Sequence, residues 1–406
     1  MSETFQVRQQ YLETLDRWRG TPLIKVLTGM RRVGKSVLLQ LWRERLGSLH
    51  GIPSPQILMI ERDSLEHAGM DSWLELRAVV EPWLETPGPK HLLIDEVQLI
   101  DGWEKVVNAL HKRGDVDIVL TGSNAHLLSS ELATLLSGRW IGILVLPFSY
   151  AETLEIRKQA HSQVEFERWL RLGGMPTLHH MTDDPQLQQQ TLEAIHSTVL
   201  LRDVVARHEI RNVALLERIE RYHFDQIGSL VNPKRISDFF KSQHIKVSVD
   251  TVQTYLHHLE GACVLHRVKR YDLRGRRHLE IHEKIYATDL GLRNALLRRG
   301  LGDIGVLLEN VVFLELIRRG YTVDIGKVGD WEIDFVATRN GAIEYFQVCY
   351  LLAEPATVER EFRSLLAIDD NHPKTILSLD PIDLSRDGIR HRHLAEWLLE
   401  ETPPSL

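Results

Sequence analysis

Gly29-Met30-Arg31-Arg32-Val33-Gly34-Lys35-Ser36 decides how this chain is read. The octet follows an apolar run at 23–27 and opens an amphipathic stretch at 35–46, so it sits at a strand-to-helix turn. Glycines at both ends of a four-residue gap let backbone N–H groups curl around phosphate oxygens, and the helix N-terminus adds its dipole. Lys35 can reach β- and γ-phosphates, and the Ser36 hydroxyl can ligate magnesium. Arg31, Arg32, Val33 and Val37 would complete the cradle with their backbone. The competing reading, a chance glycine-rich turn, does not account for the full pattern in its required context. ATP or a closely related nucleotide, with Mg2+, is the expected ligand.

Leu92-Leu93-Ile94-Asp95-Glu96 ends a second apolar strand in two carboxylates. Beside a phosphate loop, Asp95 is expected to organise magnesium and its water, and Glu96 to polarise the attacking water as a general base. Acidic caps on apolar strands are common, so the pairing with the loop carries the inference. A third strand ends Leu120-Thr121-Gly122-Ser123-Asn124. Thr121, Ser123 or Asn124 could sense the γ-phosphate; a turn and helix cap is the equal alternative.

Outward from these strands, short apolar runs alternate with amphipathic stretches up to about residue 150, which predicts a parallel sheet covered on both faces. Residues 151–230 turn mostly helical, with helices at 165–171, 186–205 and 213–230 and the GGMP turn at 173–176. Residues 231–287 read as two short helices followed by two strands around the basic turn DLRGRR, the outline of a winged helix. Residues 288–406 carry a second α/β pattern, with strands at 322–325, 332–338 and 342–348.

The 406 residues hold 49 Lys plus Arg against 56 Asp plus Glu, a net charge of -7 that makes nucleic acid binding depend on a local basic face. Two cysteines, Cys263 and Cys349, support neither a disulfide framework nor a cysteine-rich metal site. No run of 18 apolar residues occurs and the first residues lack an apolar core. A cytoplasmic location without membrane spanning is expected.

The phrases GMRRVGKS, HLLIDEVQ, LTGSNAHLLS and LSGRW followed by LPFSYAE resemble, in order, the AAA+ ATPase superfamily. Within it, the chain looks like the bacterial and archaeal group that carries the uncharacterised C-terminal domain DUF4143. The resemblance covers nearly the whole chain. It implies an AAA+ core at 1–150, Ser123 or Asn124 at the sensor position, and Arg139 as a trigger arginine acting within the chain or from a neighbouring subunit. A salt bridge near the sheet edge is the bland alternative for Arg139. Arg202, Arg207 and Arg211 are further candidates to reach the nucleotide, against the alternative of a mixed-charge surface. A homo-oligomer is implied, since relatives commonly form rings.

The resemblance also marks 288–406 as restriction-endonuclease-like. Glu309, Asp334 and Gln347 then fall at metal-ligand positions for phosphodiester hydrolysis. The lysine expected two residues after Gln347 is Cys349, and Gln347 is a poorer ligand for a hard cation than a carboxylate. Lys327 is one substitute for that lysine, and Glu332 one for the missing carboxylate. A degenerate fold used for binding is the other reading.

In the winged-helix candidate, the helix from Ser248 would enter a groove while Arg267, Lys269, Arg270, Arg274, Arg276 and Arg277 contact phosphates. The favoured function is Mg-dependent ATP binding and hydrolysis coupled to DNA-associated conformational work. The alternative is an ATP-dependent protein-interaction switch without DNA binding.

Overall fold

The structure, a computed structural model, describes residues 8–62, 64–123, 136, 138–275, 277–298 and 302–400. Asn124 and Arg276 lie outside the described residues. The chain divides into two units, residues 1–145 with 261–263, and residues 146–260 with 264–406.

The first unit is built on five parallel strands: β1 (Ile24–Thr28), β2 (Ile57–Glu61), β3 (Lys90–Asp95), β4 (Val116–Gly122) and β5 (Trp140–Leu144), in the order β2-β3-β4-β1-β5. Every residue of β1 and β3 is buried, as expected of strands covered on both faces. The helices were legible from their periodicity. In Trp103–Arg113 the buried positions are Trp103, Val106, Val107 and Leu110, one stripe at helical spacing. That helix stops at Gly114, whose φ of 76° is left-handed, after three basic residues in its last turn. Its stripe packs with Leu76 and Val80 of the helix Trp73–Leu84 against Leu92, Ile94 and Leu120 of the sheet. Burying side chains of this size contributes about 1.5–3 kcal/mol each.

The strand order has a functional consequence. Because β4 lies between β1 and β3, the loop after β1, the carboxylates ending β3 and the hydroxyls ending β4 all emerge at one edge, the carboxyl end of the parallel sheet.

The second unit opens with helices Tyr150–Arg157, Gln163–Leu172, Pro185–Thr198 and Val213–Asp225. The expected 186–205 helix is α-helical only to Thr198 and continues as a wider π-helical turn over Val199–Ala206. Asp184 caps its start by accepting from Gln186 N at 2.8 Å and Leu187 N at 3.1 Å.

Two helices, Pro233–Ser242 and Val249–Gly261, precede a hairpin of β7 (Leu265–Asp272) and β8 (Arg277–Ala287), and β6 (Leu230–Val231) pairs with β8. Ser248 caps the second helix, accepting from Thr251 N at 3.0 Å. The hairpin is not a separate layer. Arg270, Tyr271 and Asp272 of β7 pair in parallel with Ile325, Gly326 and Lys327 of β9 (Thr322–Val328), so hairpin and C-terminal strands share one sheet. That eight-stranded sheet runs β13-β12-β11-β10-β9-β7-β8-β6, with β10 at Trp331–Arg339, β11 at Ala342–Val348, β12 at Lys374–Ser378 and β13 at Ile389–His393. Sequence pattern found β7 to β11 but not β6, β13 or this pairing, because a two-stranded hairpin leaves an edge whose partner no local signal names.

Candidate nucleotide site and the C-terminal ion-pair cluster

The loop after β1 has the backbone its glycines require. Gly29 has φ 144° and Gly34 φ 94°, and a Cβ on Gly29 would lie 2.2 Å from the Val145 carbonyl oxygen. No other residue fits at Gly29 without moving β5's exit. Arg32 is also left-handed, at φ 68°, as the loop curls before the helix Lys35–Ser48. The Lys35 ammonium donates to the carbonyls of Gly29 at 2.9 Å and Met30 at 3.0 Å. Lys35 is therefore buried and held over the loop.

A support that sequence reading missed comes from outside the motif. Arg8 is 3% exposed and donates from Nη1 to the Val33 carbonyl at 3.1 Å. Its guanidinium lies 4.5 Å over the Tyr11 ring. Arg8 thus fixes the loop's outer turn from the segment leading into the helix Gln9–Trp18.

The acidic pair is organised by Thr121. Its Oγ1 donates to Asp95 Oδ1 at 2.5 Å and accepts from Glu96 N at 2.9 Å. Burial pushes the Asp95 carboxyl above its ordinary value, against hydrogen bonds from Thr121 and Ser36 that favour the charged form. A side-chain hydrogen bond between Ser36 and Asp95 brings the two oxygens together. Glu96 sits in the left-handed region at φ 49°, and Gln98 Nε2 donates to its Oε2 and, at 3.4 Å, to Ser123 Oγ. A non-glycine residue held at such a φ stores about 1–2 kcal/mol, offset by surrounding contacts.

The donor set fits magnesium and a nucleoside triphosphate. Ser36 and Asp95 supply hard oxygen donors, Lys35 a cation for the phosphates, and the helix N-terminus a dipole. Magnesium held there would neutralise charge on the β- and γ-phosphate oxygens.

Arg139 is exposed at the other end of this sheet. Its carbonyl accepts from Ile24 N at 3.0 Å, and Ile24 pairs with Trp140, so Arg139 flanks the start of β1 while the phosphate loop follows its end. Five strand residues span about 17 Å, well beyond an arginine side chain. Arg139 thus precedes β5 at the end of the sheet away from its own phosphate loop. Arg202 and Arg211 are exposed and Arg207 half-buried in the second unit.

In the second unit the proposed metal ligands converge on a lysine that sequence reading did not single out. Lys284 of β8 is 4% exposed. Its Nζ lies 2.9 Å from Glu309, 2.8 Å from Glu332 and 4.0 Å from Asp334. Burial alone would lower its pKa, yet the three carboxylates hold it above the ordinary lysine value. Tyr286 donates to Glu309 at 2.6 Å, and Arg270 reaches the other oxygen of Glu332 at 3.3 Å. Asp334 accepts from Val348 N at 2.8 Å, and burial beside Glu309 pushes its carboxyl well up. Gln347 turns onto Asp334 N at 3.3 Å and the Ser364 hydroxyl at 3.4 Å.

So Glu309, Asp334 and Gln347 do come together, but around an ammonium. The ammonium at this cluster belongs to Lys284, on another strand from Gln347 and Cys349. Cys349 is buried among Ile376, Phe362 and Leu365, and burial pushes its thiol up. Among the described residues no three His, Cys, Asp or Glu gather at metal-holding geometry. Hairpin cations on helix and strand carboxylates make this cluster a fastening between β7–β8 and the helix Ile304–Arg318 with β10.

Residues 21–154 match the AAA domain family, and residues 163–302 match a domain of unknown function, DUF8612. DUF8612 replaces the expected DUF4143. An uncharacterized protein from Haemophilus influenzae is 36% identical over 407 residues, spanning 98% of this chain and 100% of the relative. The chain belongs to that protein's family. An uncharacterized protein of Methanocaldococcus jannaschii is similar at 29% identity over 89% of this chain and 81% of its own length. Within this family the first unit is a P-loop AAA-type ATPase domain, and the chain is an ATPase. The Aeropyrum pernix ORC2 protein, solved as ADPNP and ADP complexes, superposes with a TM-score of 0.40 at 11% identity, covering 77% of this chain and 96% of that one. An overlap that loose assigns no function. Among the described residues no helix is long and apolar enough to cross a membrane.

Proposed function

We propose that ATP hydrolysis at Lys35, Ser36, Asp95 and Glu96 drives conformational work by the second unit on nucleic acid. In this reading Lys35 stabilises charge on the transferred phosphoryl, Thr121 holds Asp95 in place, and Glu96 takes a proton from the attacking water. Arg139 acts on a neighbouring copy's phosphate, since it lies at the end of the sheet away from its own phosphate loop.

The observation that carries the nucleic-acid part is the hairpin. Lys269, Arg274 and Arg277 are exposed around the β7–β8 turn and, among the described residues, make no ion pair, and the helix Val249–Gly261 leaves Gln253 and Thr254 exposed. Such a tip suits phosphate contacts without sequence reading. Nitrocellulose-filter retention of duplex DNA at low salt tests it. Retention that falls steeply with salt, and further in a Lys269→Ala, Arg274→Ala, Arg277→Ala variant, is the expected result. No retention with or without ATP would reject it.

One observation favours the protein-interaction alternative. Arg267 is paired with Glu260 and Glu283, and Arg270 with Glu332, so part of the basic hairpin is already neutralised. Phe239, 45% exposed beside Tyr222, would suit a protein partner. For the C-terminal cluster we propose a structural role rather than metal-dependent cleavage. Plasmid cleavage with Mg2+ or Mn2+ that disappears in Asp334→Ala would show otherwise.

A further inference from the structure

The C-terminal sheet carries a cavity away from the Lys284 cluster. Across four strands, Phe335, Phe346, Thr375 and Arg390 are direct neighbours in register. Alternation along β13 puts Arg392 on the same face as Arg390. His391 faces the other way, buried and bonded to Ser378 at 2.8 Å. Over this face lies a cavity of about 380 Å3 whose walls include Arg319, Arg339, Arg390 and Arg392 against two carboxylates, Glu344 and Glu400.

Two of the four guanidiniums, those of Arg319 and Arg339, are held before any ligand arrives. Arg319, 7% exposed, donates from Nε to Glu315 at 2.8 Å and from Nη2 to the Trp397 carbonyl at 2.7 Å, and lies 4.2 Å over the Trp397 ring. Arg339 lies 4.7 Å over the Tyr321 ring and donates to the Arg319 carbonyl at 3.1 Å. Ion pairs match Arg319 with Glu315 and Arg392 with Glu400, and Glu344 accepts from the Tyr321 hydroxyl at 2.8 Å. Arg390 is exposed and, among the described residues, makes no ion pair. Arginines therefore outnumber carboxylates around this half-open cavity. Burial, then the nearby charges of Arg319 and Arg390, pull the Arg392 pKa down, which is the cost of that crowding.

We propose that this cavity binds a phosphate monoester of nucleotide size. A dianion with three acceptor oxygens can engage guanidiniums arriving from separate elements, and arginines held against aromatic rings lose little freedom on binding. The volume falls within the range of small-molecule sites. The phosphate could belong to a free mononucleotide or to the 5′ end of a strand, and the two are separable.

The test is isothermal titration of the full chain, with ADP and Mg2+ saturating the phosphate loop, against AMP, adenosine and a 5′-phosphorylated dinucleotide. Saturable binding of AMP or the dinucleotide, with adenosine at least about 10-fold weaker, is expected. AMP binding without the dinucleotide identifies a free nucleotide, and the dinucleotide preferred identifies a strand end. The Arg390→Ala, Arg392→Ala double variant should bind at least about 10-fold more weakly, while Arg113→Ala, in the first unit, binds as wild type. Unchanged ATP hydrolysis in the double variant separates this site from the phosphate loop. Equal binding by the double variant, equal binding of adenosine, or no saturation below about 10 mM overturns the proposal.

Discussion

The Thr121 hydroxyl donates to Asp95 at 2.5 Å while accepting from the Glu96 amide at 2.9 Å, so one side chain on β4 sets both carboxylate residues ending β3. Thr121→Val keeps the shape and removes the hydroxyl. It should lower kcat for ATP about 10- to 100-fold, the usual loss when an outer hydrogen bond orienting a metal ligand is removed, with KM changed far less. Thr121→Ser should recover most of the rate. Steady-state phosphate release measures both, and a Val variant at wild-type kcat would remove Thr121 from the mechanism.

Lys284 neutralises Glu309 and Glu332 inside the second unit, and removing it strands buried carboxylates. Lys284→Met is expected to destabilise that unit by about 3–5 kcal/mol at neutral pH. The deficit should shrink as pH falls, because the unpaired carboxyls can then take up protons instead of staying charged. Urea unfolding at pH 7.5 and pH 5 reads both effects. A loss that is the same at both pH values would contradict the charge explanation.

The first site was legible because its determinants are contiguous. Gly29 to Ser36 and Asp95-Glu96 each sit in one short run, and their chemistry fixes their spacing. The sensor strand was legible only as a choice among Thr121, Ser123 and Asn124; geometry singles out Thr121 as the link to Asp95. Arg8 could not be found, since an arginine in a polar leader, 25 residues from the carbonyl it holds, looks like any surface cation. Lys284 was hidden for a related reason. It lies 25 residues from Glu309, in a strand assigned to the hairpin, and only the β7–β9 pairing brings that hairpin to β10. The nuclease-like pattern expects its lysine beside Gln347 on β11, whereas the ammonium at the cluster comes from Lys284 on β8.

Asp289 offers a pH dependence with a definite sign. It caps the helix Leu290–Leu297 through Leu292 N at 2.9 Å and anchors the GGMP turn through Gly174 N at 2.7 Å. Complete burial pushes its carboxyl up to about 6 from the ordinary 3.8, despite those hydrogen bonds. The folded chain therefore holds this proton more tightly than the unfolded one, and stability is lost as pH rises from about 4 to about 6. That separation corresponds to about 3 kcal/mol. Asp289→Asn cannot ionise, so the stability of wild type relative to this variant should fall by about that amount between pH 4 and pH 7. A difference that stays flat with pH in urea titrations would show that Asp289 does not carry it.

Arg139 flanks the start of β1, away from its own phosphate loop, which makes a mixing experiment informative. Arg139→Ala lacks the arginine but keeps an intact loop, and Lys35→Ala lacks the loop lysine but keeps the arginine. Each alone should hydrolyse ATP at least about 100-fold slower than wild type. Mixed, they should exceed the sum of their separate rates, because one copy completes the other. Additive rates would mean that Arg139 acts on no neighbour.

The central claim is that Lys35, held over Gly29 and Met30, belongs to a hydrolytic ATP site. Its most direct test is Mg2+-dependent ATP hydrolysis by Lys35→Ala beside wild type at equal concentration. Hydrolysis by wild type that falls at least about 100-fold in the variant, with an unchanged unfolding midpoint, is the predicted result. Wild-type turnover in Lys35→Ala would contradict it.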